Sequence, residues 1–191
     1  MYEKNLATKK AFYKALQESA IVHLATHANV SDTISPWIAF TDGKLFAEEL
    51  SLQPNYTNMV VLSACNTNLG EIKIGEGTMS LSRSFFYGNT KTSISSLWKT
   101  DDRATAYVMN RFYTNLNEGM PKGTALHKAK LSYLEDHFGL ERSPHYWSSF
   151  ILIGDTDSLP HESSLWKYFL LVPFLLLLLY FKNKKASKKE A

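Results

Sequence analysis

The sequence predicts an α/β domain built on a mainly parallel sheet flanked by helices, followed by one C-terminal transmembrane helix. Short apolar runs alternate with amphipathic stretches over residues 1–154, the pattern of strands and covering helices. The chain has 191 residues, the length of one domain rather than two. One further run, 165–181, is apolar on every side.

Composition narrows the class. Hydrophobic residues make up 45% and charged residues 20%, which excludes a disordered chain. The single cysteine excludes an internal disulfide framework and a Cys-rich zinc site.

Residues 7–19 place Phe12, Ala15, Leu16 and Ser19 at helical spacing, with lysines opposite. The run 21–26 (IVHLAT) reads as a strand that ends at His27-Ala28-Asn29. A second strand is expected over 34–40, closed by the turn Thr41-Asp42-Gly43 and paired with 44–46 as a hairpin. Pro36 near its start suggests an edge position. A short helix follows at 47–50. The run 59–64 (MVVLSA) is the most strand-like in the chain, and Cys65 follows it directly. Residues 65–77 read as a loop rich in Asn and Gly, 78–87 as a helix stopped by Gly88, and 92–97 as a strand.

A helix is expected over 101–116, with Asp101 and Asp102 in its first turn, where carboxylates suit the helix dipole. Gly119-Met120-Pro121 breaks it. Another helix is expected over 124–138, and a last strand over 149–153 ends at Gly154. Residues 155–164 read as a polar linker, 165–181 as the membrane helix and 182–191 as a basic tail.

The net charge of +3 belongs to that tail. Lys182, Lys184, Lys185, Lys188 and Lys189 stand there against Glu190, which leaves 16 basic and 17 acidic residues before it. The near-neutral body carries no basic cluster, so nucleic acid is not an expected partner. Seventeen residues of helix reach about 25 Å, slightly short of a hydrocarbon core of ~30 Å. Trp166, Tyr168 and Tyr180 suit aromatic belts, and Pro173 is tolerated in membrane helices. The lysines place the tail in the cytoplasm and the body on the opposite side. Met1–Ser19 does not read as a signal peptide, which keeps open the alternative of a tail-anchored protein with a cytoplasmic body.

Sites in parallel sheets form at the carboxyl ends of strands. His27 and Cys65 both follow strand ends. If those strands are neighbours, a thiol and an imidazole emerge at one rim, the pairing needed for nucleophilic attack on a carbonyl. Otherwise a lone cysteine after an apolar run is a small core residue. His23 reads as a hydrogen-bonded strand histidine. The pair His23/His27 lacks the glutamate of a zinc-peptidase helix.

HLATHA at 23–28, VLSACNTNLG at 61–70, GEG at 75–77, SLWKTDD at 96–102 and YWSSFILIG at 146–154 occur in this order. Together they resemble the CHAT domain, which belongs with the caspase- and separase-like cysteine peptidases. The resemblance runs from about residue 7 to 154 and implies a caspase-like fold. It makes Cys65 the nucleophile and His27, rather than His23, its acid and base. Oxyanion contacts would come from the backbone N–H groups of Ala28 and Cys65. The family usually has Gly where Ala28 stands, and alanine keeps the N–H. SLWKTDD also resembles the segment after the nucleophile in separase-like enzymes, which implies that Asp102 lines a pocket for Arg or Lys before the scissile bond. On the residues alone, Asp102 is a first-turn helix acid.

No metal or organic cofactor is implied. The family commonly carries further strands and helices ahead of the matching segment, and often helical TPR repeats. Residues 1–154 are therefore expected to be an N-terminally incomplete domain, with a helical-repeat region or partner nearby. Two functions follow. One is a membrane-anchored cysteine endopeptidase acting on a protein or peptide; the other is a non-catalytic interaction or scaffold domain at a membrane.

Overall fold

A computed structural model describes residues 4–29, 35–63, 76–99 and 101–160. One compact unit ends at Leu159. Its elements run α1 (Lys9–Glu18), β1 (Ile21–Leu24), β2 (Ala28–Asn29), β3 (Trp37–Phe40), β4 (Gly43–Phe46), α2 (Ala47–Ser51) and β5 (Met59–Leu62). Then come α3 (Glu76–Tyr87), β6 (Thr92–Ser96), α4 (Asp102–Asn117), α5 (Lys122–Asp136), α6 (Pro144–Trp147) and β7 (Phe150–Gly154).

The main sheet has the order β1-β5-β6-β7. β1, β5 and β6 are parallel, and β7 runs antiparallel to β6. The expected mixed architecture with a mainly parallel sheet is therefore present. Strand parity divides the core into two layers. Val22, Leu24, Val60 and Leu62 pack with Phe12, Leu16, Leu81 and Phe85 from α1 and α3. Met59, Val61 and Ile94 pack on the other side with Val108, Phe112, Ala125 and Ala129 from α4 and α5. Both faces of β5 are covered, which is why its run carries no polar alternation.

The second sheet, β2-β3-β4, is antiparallel and lies in the connection from β1 to β5. Its hairpin turns at Gly43, whose φ of +131° suits glycine. The Asp42 carboxylate accepts the Lys9 N–H at 2.9 Å and so ties the hairpin to the start of α1.

Four details depart from expectation. β3 is the central strand of its sheet, not an edge. Pro36 is compatible with this because it precedes the ladder, where its missing N–H costs no strand bond, and its carbonyl accepts the Ala47 N–H at 2.8 Å. α3 begins at Glu76 rather than at 78. α5 begins at Lys122, two residues earlier than the periodicity suggests. Pro121 has a φ compatible with helix entry, and the N–H groups of Lys122 and Gly123 donate to the carbonyls of Asp157 and Thr156. Residues 155–158, expected to begin a linker, are thus docked against α5, and Asp155 pairs with the buried Lys122 at 3.0 Å.

The expected transmembrane segment, 165–181, lies outside the described residues. Among those described, no helix is long and apolar enough to cross a membrane.

Gly154 closes β7 with φ +99°, and a Cβ there would stand 2.3 Å from the Lys91 carbonyl oxygen. Gly154→Ala should therefore cost about 2 kcal/mol of stability through backbone strain. A urea unfolding midpoint that moves by the corresponding amount checks this; an unchanged midpoint contradicts it.

Candidate active site

The sheet order makes β1 and β5 direct neighbours, with Leu24 paired to Leu62 and Leu62 to Ser95. His27 stands three positions after Leu24 in the sequence, and Cys65 three positions after Leu62. Parallel strands in this register direct both segments from the same end of the sheet. Cys65 itself lies in 64–75, outside the described residues. β6 ends beside β5, and α4, with Asp102 as its first residue, follows it.

The segment bearing His27 is held from β3. The Ala39 N–H donates to the His27 carbonyl at 2.7 Å. The Thr26 hydroxyl donates to the Ala39 carbonyl at 2.8 Å. The His27 side chain is exposed, so the clamp acts on the backbone and leaves the imidazole open to a ligand.

Ala28 pairs with Ile38, and the bond from Ala39 to His27 makes this a non-hydrogen-bonded pair of the antiparallel ladder. The Ala28 N–H therefore points away from β3. β2 is an edge strand of its sheet, so the ladder does not consume that donor. The Ala28 side chain is buried. Among the described residues, the only non-glycine with positive φ is Asn89, so Ala28 adopts its conformation without left-handed strain.

Asp101 and Asp102 have different tasks. Asp101 is the N-cap of α4: its Oδ1 accepts from the N–H groups of Arg103 at 2.9 Å and Ala104 at 3.1 Å. Capping therefore does not use Asp102, whose side chain is exposed.

His23 is satisfied at both ring nitrogens, as expected of a strand histidine. Nε2 lies 2.8 Å from the Ser63 hydroxyl and Nδ1 lies 2.9 Å from the Tyr113 hydroxyl. Neither Ser63 nor Tyr113 stands out in the sequence. The usable signal for Ser63 is register: it sits one residue past Leu62, on the same face as Val61, the partner of His23.

Desolvation of the ring on its protein-facing sides lowers the His23 pKa below the ordinary 6.5. In the unfolded chain His23 takes up a proton near that value, while the folded chain resists until lower pH. The stability that His23 contributes is thus complete above 6.5 and is lost as pH falls toward the folded pKa. Urea midpoints should fall on mild acidification, and less so in His23→Gln. An identical acid dependence in that variant would count against the assignment.

Among the described residues no three His, Cys, Asp or Glu side chains converge as a metal-binding cluster.

The sheet is mainly parallel, and a histidine and a cysteine follow its adjacent strands β1 and β5 in the sequence. A family model, CHAT domain, matches residues 2–155. The chain belongs to the CHAT-domain family, which is related to the caspase-like peptidases. No curated protein matches it.

Proposed function

We propose that this CHAT domain is a cysteine endopeptidase with a Cys65–His27 dyad, held to a membrane by residues 165–181. The observation that carries the dyad is the parallel pairing of Leu24 with Leu62, from which His27 and Cys65 follow at equal sequence offset. In the proposed cycle, His27 takes the Cys65 proton and the thiolate attacks the scissile carbonyl. The Ala28 N–H, unused by its ladder, stabilises the oxyanion together with the N–H of Cys65. The imidazolium then protonates the leaving amine, and water, activated by the same imidazole, releases the acyl group. Asp102 is proposed to receive a cationic side chain before the scissile bond through charge-assisted hydrogen bonds.

A thiol-reactive peptide probe tests the enzyme directly, because the chain has a single cysteine. Labelling that requires His27 and is competed by a basic peptide is the expected result. Labelling no faster than that of an unactivated thiol, and independent of His27, supports the scaffold function instead.

The membrane proposal rests on sequence. Five lysines directly follow the apolar run, within the range of the positive-inside rule. The proposed orientation has a cytoplasmic tail and residues 1–164 on the opposite side. Protease added to intact spheroplasts should digest the body. A body that stays protected while the protein is present in the membrane fraction rules out this orientation and favours a tail anchor.

A further inference from the structure

His23 occupies an odd position of β1, so its ring faces α4 rather than α1. There it joins two elements distant in sequence. Tyr113, from the fourth turn of α4, meets Nδ1 at 2.9 Å, and Ser63 meets Nε2 at 2.8 Å. The Ser63 hydroxyl also lies 3.3 Å from the Leu24 carbonyl, which accepts the Ser63 N–H at 3.1 Å.

The two ring contacts by themselves admit either imidazole tautomer. In one of them the Ser63 hydroxyl donates to the Leu24 carbonyl at 3.3 Å and its proton is directed away from His23. Ser63 Oγ then accepts from His23 Nε2–H, which leaves Nδ1 as the acceptor of the Tyr113 hydroxyl proton. This order requires a neutral imidazole in one tautomer. Desolvation, which lowers the His23 pKa, favours that neutral form.

The chain ends at a mechanically significant residue. Ser63 stands two residues before Cys65 in the sequence, and two residues of chain span at most about 7 Å. Ser63 is anchored by its N–H, by its hydroxyl and by the hydrogen bond from His23. The other end of the relay is α4, the helix whose first residue is Asp102. We infer that His23 is a positioning residue that, through Ser63 and against Tyr113, holds the exit of β5 where Cys65 can meet His27. The inference rests on the dyad proposed above.

Alkylation of the single cysteine by iodoacetamide, followed across pH, reads the ionisation of Cys65 without any peptide substrate. In the wild type the rate at neutral pH should exceed that of His27→Ala. Ser63→Ala and Tyr113→Phe change little volume and should still melt cooperatively. Each should slow alkylation at neutral pH by about tenfold, the equivalent of one pKa unit of thiol ionisation. His23→Gln keeps a donor for Ser63 and should retain more of the rate than His23→Phe. If His27→Ala slows the reaction but the Ser63, Tyr113 and His23 variants match the wild type, the positioning role is overturned and the dyad stands. If His27→Ala itself matches the wild type, the dyad fails and the positioning role fails with it. A lowered melting temperature with an unchanged pH–rate profile shows bracing of the fold alone and also overturns the inference.

Discussion

Replacing Cys65 with alanine should abolish proteolysis, lowering the rate by at least about 10³-fold. The sulfur is the only atom in the proposed site able to form the acyl intermediate, and alanine removes it while adding no bulk. The folded unit should be little affected, because the elements around this position are held by ladder bonds and by the two core layers. His27→Ala should reduce the rate to a similar extent, and the double variant should fall no further than either single one, since the two residues act as a unit. The alanine variant, purified from a strain lacking other cysteine peptidases, is assayed against the same peptide as the parent. Undiminished cleavage would end the peptidase proposal. Multiplying losses in the double variant would show that Cys65 and His27 act separately.

The elements that are legible in the sequence are those whose burial is set locally. α1 is one: Phe12 and Leu16 recur at helical spacing because a single face meets the sheet. β5 is another, since all four of its residues are buried. The hairpin is readable from Thr41-Asp42-Gly43 because only a turn needs that backbone geometry. Features decided by distant partners are not legible. The first turn of α5 is completed by carbonyls of Thr156 and Asp157, which no local periodicity announces. Pro36 looks like an edge residue until the ladder is seen to begin one position later.

The same division runs through the candidate site. His27 can be picked out because it follows a recognisable strand, whereas Asp102 is singled out only by the resemblance of SLWKTDD, since its place at a helix start it shares with Asp101. Whether β1 and β5 are neighbours is a property of the sheet order, and alternation of strands and helices does not determine it. His23 shows the limit most clearly. Its partners are 40 and 90 positions away, so its role depends on tertiary contacts alone. Capping is a comparable case: either acid of Asp101-Asp102 suits a first turn, and only the geometry assigns the cap to Asp101.

That assignment underlies the expectation for Asp102. A carboxylate already committed to capping two backbone N–H groups would have little capacity for a ligand, and its loss would unravel the helix start. Asp102 carries no such duty and stays exposed at the start of the helix that follows β6. Once a bound peptide covers it, a cationic side chain placed against it would gain charge-assisted hydrogen bonds in a partly water-excluded setting. Asp102→Asn keeps the shape and removes the charge. It should lower kcat/KM for peptides with Arg or Lys before the scissile bond by on the order of 10²-fold, the scale of an unpaired covered charge. Peptides with a neutral residue there should be affected far less, and the urea midpoint should stay close to that of the parent. Asp101→Asn is the contrasting variant, because it weakens the cap and should shift stability more than selectivity. Equal cleavage of acidic and basic peptides by the parent would remove Asp102 from the substrate pocket while leaving the dyad to its own test.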